Sequence, residues 1–259
     1  MSFSPQHNSP TESNTTDKFC TIGTCTNYEV GDTVLFGNYF QSNAENKEPI
    51  QWQILEIDSV NRKMLLLSMY VIDVKPYHAE YDGSTDITWE KCTIRSWLNG
   101  YDESYNKLGN NYTGNNFINT AFTATERTKI VSSIVPAHAN PDYCHKTSPG
   151  NATTDKIFLL SITEANNYFS SEDERKAEAT RYAVEQGVYI YSSTLGQSDA
   201  RARKRTCADF HCYVGWWLRS PGRNAVYAAL VIGNGSVNCY GMTARRSFIG
   251  VRPALWVKY

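Results

Sequence analysis

Between Tyr28 and Tyr70 the apolar residues recur with the two-residue period of β-strands. Val34-Leu35-Phe36-Gly37 predicts a short strand ended by glycine, Ile50-Trp52-Ile54 alternates as a half-buried strand does, and Met64-Leu65-Leu66-Leu67-Ser68 is an apolar run of strand length. Asp58 to Arg62 predicts a hairpin between the last two. From Trp89 to Leu98 the period changes, and Cys92 or Trp89 shares roughly one helical face with Ile94, Trp97 and Leu98, which predicts a short helix packed on the sheet. Gly100 to Asn116, polar and rich in Asn, Gly and Tyr, reads as an insertion loop. Thr123-Ala124-Thr125-Glu126 opens the next helix as a capping box, in which hydroxyl and carboxylate satisfy unpaired amide donors. Asp155 to Leu160 predicts a strand. Ser161-Ile162-Thr163-Glu164 caps the short helix after it, and Ser171-Glu172-Asp173-Glu174 opens a third, running to Gln186 and stopped by Gly187.

Toward the C-terminus the strand period returns. Ala228 to Ile232 and Ser236 to Tyr240 flank Gly233-Asn234-Gly235, a tight-turn signal that predicts a hairpin. With Ala229, Val231, Val237 and Cys239 facing inward, Leu230, Ile232, Ser236, Asn238 and Tyr240 share the outer face. Branched aliphatics beside Tyr and Asn make that face either an interaction patch or core covered by the loop from Gly241 to Ile249, and the pattern leaves both open.

Composition sharpens this picture at the same place. Arg223 to Ile249 holds no Lys, Glu, Gln, Asp, His or Trp, and is filled with Arg, Asn, Tyr, Ser, Gly and small apolar residues. Such a mixture suits a binding surface, because Tyr offers rigid contact area at low entropic cost while Asn, Ser and Gly adapt their hydrogen bonding. The chain length of 259 residues points to one large domain with a substantial core. A net charge of -1 gives no global reason to expect nucleic-acid binding, and no apolar stretch approaches a membrane span, so neither nucleic acid nor direct membrane insertion is expected. The local basic run Arg201, Arg203, Lys204 and Arg205 reads as a solvated loop. Residues up to about Thr16 are rich in Ser, Thr, Asn and Pro, without a secretory signal pattern, so residues 1–27 are expected to be a flexible leader before a domain over 28–259.

Motifs for catalysis and metal binding are weak. Of seven cysteines, Cys20/Cys25 and Cys207/Cys212 are separated by four residues rather than the two typical of zinc knuckles, so incidental free thiols are the default and two disulfides the alternative. His7 falls in the leader, and His78, His138, His145 and His211 fall in loops with no nucleophile motif around them. There is no Walker loop and no dinucleotide fingerprint. Glu48-Pro49-Ile50 and Asn140-Pro141-Asp142 only partly match calcium-dependent sugar-binding triplets, so no metal and no cofactor is expected. Arg219 and Arg252, set among aromatics, are expected to be scaffold.

The blocks Trp216-Trp217-Leu218-Arg219-Ser220-Pro221-Gly222 and Gly250-Val251-Arg252-Pro253-Ala254-Leu255-Trp256 resemble the C-terminal signature of a bacterial and phage domain family on the formylglycine-generating-enzyme-like branch of the C-type lectin fold. Val30 to Gly37, Pro49 to Trp52, the Trp89 to Asn99 segment and Lys156 to Ser161 agree with that likeness, which covers about Tyr28 to Tyr259. The resemblance implies an α+β single domain with short helices around antiparallel sheets. It also implies kinship with the variable proteins of diversity-generating retroelements, in which adenine-directed mutagenesis rewrites chosen codons on a fixed scaffold. An Asn codon ending in a pyrimidine then yields Arg, Asn, Tyr, Ser, Gly, Cys, Leu, Ile or Phe but never Lys, Glu, Gln, Trp or Met, and within 223–249 only Met242 departs from this.

On that implication Ala228, Ala229, Val231, Gly235, Val237, Gly241, Gly250 and Val251 are fixed. The ligand-binding set is Arg223, Asn224, Tyr227, Leu230, Ile232, Asn234, Ser236, Asn238, Tyr240, Arg245, Arg246, Ser247 and Phe248. The expected function is non-enzymatic recognition of a protein or other cell-surface macromolecule, from a phage particle or from a bacterial cell surface. A fixed interaction domain of the same fold is the alternative. An oxidase that binds copper through cysteines is third, with Cys207 and Cys212 around His211 as its only candidates.

Overall fold

Cys20–Thr21 (β1) runs parallel to the start of Thr33–Phe40 (β2), which turns back into Lys47–Asp58 (β3) and then Lys63–Ser68 (β4), each antiparallel to the strand before it. The computed structural model describes residues 19–25, 27–80, 86–141, 147–190 and 212–259. β2 does not end at Gly37. Its ladder is irregular between Leu35 and Asn38, where Gly37 takes φ +70°, so the glycine supplies a bulge inside the strand. β1 also lies upstream of the boundary expected at residue 28, and a Cys20–Cys25 disulfide closes the turn after it. The free-thiol expectation is therefore corrected for that pair, whose Cα atoms stand 6.1 Å apart, within bridging range.

After Asp73–Val74 (β5), a short 3-10 turn over Trp89–Lys91 leads into Thr93–Asn99 (α1). All seven residues of α1 are buried, so it is an inner helix rather than a one-faced surface helix. Phe117–Ala121 (α2) and Ala124–Lys129 (α3) follow, and the Thr123 capping box has both of its reciprocal bonds. Next come Ile130–Val131 (β6), Ser133–Val135 (β7), Thr153–Asp155 (β8) and Ile157–Phe158 (β9). The strand expected over Asp155 to Leu160 is thus divided. The Asn99 side-chain oxygen takes the amide hydrogens of both Lys156 and Ile157, at 3.0 and 2.9 Å, at the point where the chain leaves one ladder for another.

Ser161 completes its capping box on Ile162–Tyr168 (α4). The third box behaves differently: Glu172–Arg175 (α5) is one turn long, and Arg181–Glu185 (α6) is a separate helix capped by Thr180. Between them Val71 donates to Glu178 O and Thr180 donates back to Val71 O, so strand-type bonds replace the helix expected from Ser171 to Gln186. The Glu174 carboxylate also turns to Ser170, at 2.8 Å from both its N and Oγ, rather than to Ser171.

The C-terminal part contributes Trp216–Pro221 (β10), Tyr227–Val231 (β11), Val237–Thr243 (β12), Gly250–Val251 (β13) and Ala254–Lys258 (β14). One sheet runs β1-β2-β3-β4-β14-β6 with β9 also on β14, a second runs β12-β11-β10-β13-β5, and β7 pairs β8 separately. Strand β14 thereby inserts beside β4, joining the C-terminal part to the β3–β4 hairpin. Parallel pairs at β1/β2 and β10/β13 make the sheets mixed rather than wholly antiparallel. Both large sheets feed one hydrophobic core, with Trp52, Trp216 and Trp217 among its largest fully buried side chains. The fold is α+β. Among the described residues no helix is long and apolar enough to cross a membrane.

Candidate functional site

Strand β10 is buried at all six positions and is the base on which the candidate surface rests. Trp216 donates its indole N–H to Arg175 O at 3.2 Å, and Trp217 donates to Lys75 O at 2.9 Å. Arg219 binds the Glu164 carboxylate through both terminal nitrogens, Nη2 at 2.6 Å from Oε1, and donates to Leu159 O at 2.8 Å. Burial raises the Glu164 pKa, but the Arg219 hydrogen bond and charge outweigh it and leave the carboxyl below its ordinary value. Arg252 lies between Phe169 and Trp216, 5.7 and 5.1 Å from their ring centroids, and donates to Ser68 O at 2.9 Å. Burial lowers its pKa to about 9, which leaves it charged at neutrality. Both arginines serve the scaffold, as their aromatic surroundings suggest.

On β11 and β12 the bonds are arranged to present side chains. Gly241 takes φ +77°, and a Cβ there would stand 2.4 Å from Ala228 O, so only glycine lets the strands close at this irregular step. The loop after β10 folds onto the same place, Gly222 donating to Tyr227 O at 2.7 Å and Arg223 donating to Tyr240 O at 2.9 Å. Those two bonds set the Arg223 guanidinium 4.3 Å from the ring centroids of both Tyr227 and Tyr240. Its Nη2 donates to the Tyr227 hydroxyl at 2.7 Å and its Nη1 to that of Tyr240. The rings stand nearly perpendicular, at 87° and 6.5 Å, and Tyr240 remains 47% exposed. The result is a preformed cation and aromatic cluster at the surface. Asn224 is exposed beside it and stabilises the turn by accepting from Val226 N at 3.1 Å.

A small cleft of about 150 Å³ opens at the same end of the hairpin. Ile87, Val226 and Ala244 give it apolar walls, with Thr243, Glu80 and Arg245 completing the lining. Arg246 and Ser247 are exposed on the following turn, and the Arg246 guanidinium lies 5.5 Å from the Phe248 ring, which meets Tyr189 at 5.9 Å.

The remaining expected residues are placed elsewhere. Leu230 is 1% exposed, so it belongs to the core and not to an outer face. This is a correction: β11 lies between β10 and β12 and is buried on both faces, so alternation along it does not separate core from surface. Ile232 and Asn238 are half-buried, and the Asn238 side chain accepts from Gly241 N at 3.0 Å. Val237 and Cys239, expected to face inward, are also only half-buried. Asn234 and Ser236 sit at the hairpin tip, which is docked on α5: Ser236 Oγ donates to Glu172 at 2.7 Å, and Arg175 Nε donates to Gly235 O at 3.0 Å. The structure therefore brings Arg223, Asn224, Tyr227 and Tyr240 together, with Arg245 and Arg246 on the segment after β12, and separates the tip from them. Val226, Ile87 and Glu80 were not foreseen, since Glu80 and Ile87 meet the hairpin only through tertiary structure.

Among the described residues no group of three His, Cys, Asp or Glu side chains gathers as ligands. Glu48 accepts from Ser42 N, and Asn140 donates to Pro221 O and Cys239 O, so both residues of the partial calcium triplets have structural bonds. Cys212 is disulfide-bonded. Cys207, His145, His211 and the basic run from Arg201 to Arg205 lie outside the described residues. Burial pushes the Cys92 thiol up to about 12, which keeps it protonated. His78 is fully buried, and His138 is half-buried with Nδ1 2.9 Å from Ser161 Oγ.

A family model covers residues 61–259, which takes in α1, the core strand β10 and the whole candidate surface. The chain belongs to the DUF6273 family. Its description is "Domain of unknown function", so the DUF6273 match defines a shared domain without assigning chemistry to it. No curated protein and no solved structure matches the chain.

Proposed function

We propose that this DUF6273 chain is a non-enzymatic recognition domain with a C-type-lectin-like fold, binding a protein or other macromolecule on a cell surface through the exposed end of the β11–β12 hairpin. The observation that carries this reading is the Arg223–Tyr227–Tyr240 cluster. It is built from the residue types that dominate interface energetics and held in place by backbone bonds before any ligand arrives, with Arg223 and Tyr227 half-buried and Tyr240 exposed. The adjoining cleft among Ile87, Val226 and Ala244 gives an apolar side chain of a partner a place to anchor.

The same division supports diversification on a fixed scaffold. Ala228, Ala229, Val231, Gly235, Gly241, Gly250 and Val251 are buried, and a Cβ at Gly235 or Gly250 would lie 1.8 Å from Glu172 O or 2.3 Å from Val71 Cγ1. Arg223, Asn224, Tyr227, Tyr240, Arg245, Arg246 and Ser247 can change without disturbing those contacts. A diversified phage or bacterial surface protein is the reading we favour. The corresponding locus would carry a reverse transcriptase gene and a near-identical template repeat for 216–256, and a locus lacking both would reduce the proposal to a fixed interaction domain.

The binding reading is tested with labelled protein on a panel of bacterial cells. The variant Arg223→Asn, Tyr227→Ser, Tyr240→Asn, Arg246→Ser is expected to melt cooperatively while its cell binding is lost or redirected. A folded variant that stains the same cells as its parent would place the binding site elsewhere.

A further inference from the structure

The Gly100 to Asn116 insertion borders a second cleft, away from the hairpin, larger and widely open to solvent. Its volume is about 530 Å³, and its lining includes Glu90, Lys91, Arg95, Ser104, Tyr105 and Lys107. That size falls within the roughly 300–1,000 Å³ of small-molecule sites. Each polar group is positioned by the protein before any ligand is present. Arg95, only 6% exposed, donates Nε to Asp155 at 2.8 Å and Nη1 to Glu90 O at 3.0 Å, while its Nη2 has no hydrogen-bond partner among the described residues. Lys91 and Lys107 share the Asp86 carboxylate, Lys107 at 2.5 Å, and the Lys107 amide bonds Lys91 O at 3.0 Å. Glu90 accepts from the Asn151 side chain at 3.1 and 3.2 Å.

An aromatic platform stands beside these groups. Tyr105 stacks on Tyr101 at 4.4 Å and 26°, and the Tyr101 hydroxyl is fixed by Asp155 at 3.0 Å. Tyr105 nevertheless keeps 45% of its surface exposed. An exposed tyrosine ring held by a half-buried neighbour, with the Arg95 guanidinium 5.9 Å from its centroid, is a stacking surface of low entropic cost.

The charges around the cleft select the ligand class. Lys91, Lys107 and Arg95 are matched by Asp86, Glu90 and Asp155, and both lysines are already committed to Asp86. An anion entering the cleft meets the Glu90 carboxylate, and a cation meets Arg95, so neither gains the net attraction that a charged ligand needs to offset its desolvation. A neutral molecule with many hydroxyls and an apolar C–H face has no such penalty and can use donors and acceptors together. We propose that this cleft is a calcium-independent site for a neutral mono- or disaccharide, stacked on Tyr105 and hydrogen-bonded by Arg95, Lys107 and Glu90. It does not depend on the hairpin surface.

The test is a titration of the full chain, with chelator present, against maltose, cellobiose, lactose and diacetylchitobiose, with glucuronate and inorganic phosphate as charged comparators, followed by calorimetry and by the NMR signals of the tyrosine rings. Saturable binding of at least one neutral sugar is expected. Tyr105→Ala should weaken it by about tenfold, equivalent to roughly 1.4 kcal/mol. Lys107→Ala, an independent change on the cleft rim, should weaken it by about threefold or more at unchanged melting temperature. The hairpin variant described above should bind the sugar as the parent does. No binding by any neutral sugar, sugar binding indifferent to both Tyr105→Ala and Lys107→Ala, or tighter binding of phosphate or glucuronate each overturns the assignment.

Discussion

Strands β10 and β12 both flank β11 in the same sheet, yet one is buried at all six positions while the other buries only Gly241 of its seven. The difference follows from position. β10 is paired on both edges, by β11 and by β13, and its side chains find partners on either face: indole donors on backbone carbonyls, Arg219 on Glu164. β12 ends the sheet. Among the described residues it has a ladder on one side only, with an irregularity in that ladder, the usual way in which natural sheets blunt an edge. Composition tracks this geometry, with tryptophans and a paired arginine on the central strand and Asn, Cys, Tyr and Gly on the edge. The lesson is that support and display are assigned to adjacent strands, so the second can change while the first holds the fold.

The sharpest way to break that comparison is at its centre. Trp217→Ala should cost on the order of 3–5 kcal/mol, the range for removing a fully buried large aromatic. Its indole N–H bond to Lys75 O is lost in the same step. Urea unfolding at unchanged slope measures the loss, and a midpoint equal to that of the parent would show that β10 is not the support described.

Parts of this architecture are legible in the sequence, and the reasons are local. The boxes at Thr123 and Ser161 involve residues three apart, and both formed. The hairpin at Asp58 to Arg62 and the tight turn around Asn234 are equally short-range, and both are present. The third box failed because its outcome was decided at a distance, by Val71 pairing with the segment around Glu178 to Thr180. Leu230 was misplaced because alternation reports one buried face, whereas a strand between two others in a covered sheet has two. The Cys20–Cys25 bridge needed a backbone turn that spacing alone does not specify. At the candidate site the residue types were readable, but not the grouping. Arg223 meets Tyr240 across the sheet, and the cleft beside them is completed by Glu80 and Ile87, which no pattern near Arg245 reveals.

A smaller effect concerns the ion pair that fixes β10 to α4. Because the folded pKa of Glu164 lies below its unfolded value, the pair contributes stability that is fully present above about pH 4.3 and is lost as pH falls through the lower folded value. Glu164→Gln should therefore cost about 1–3 kcal/mol at neutral pH, the range for stranding charged hydrogen-bond donors. The gap between variant and parent should close as the pH drops below that range. Melting curves from pH 7 down to 3 read this directly, and a gap that widens in acid would mean that Glu164 is not the group held by Arg219.

The smallest expected effect tests display most directly, because it compares two residues of one hairpin that the sequence pattern puts on the same face. Leu230 and Tyr240 were both assigned outward, but Leu230 is 1% exposed and Tyr240 47%. Tyr240→Ser should change stability by no more than about 0.5 kcal/mol, as surface substitutions usually do. Leu230→Ala should cost about 2–5 kcal/mol, because its side chain fills core that serine at 240 does not touch. Serine keeps a hydroxyl but is too short to offer the Arg223 guanidinium a ring, so what Tyr240→Ser should remove is contact area, seen as weaker cell binding at unchanged melting. If Tyr240→Ser destabilises as much as Leu230→Ala, the edge strand is core, covered in a way that exposure at 240 conceals, and the binding surface has to be sought away from the hairpin.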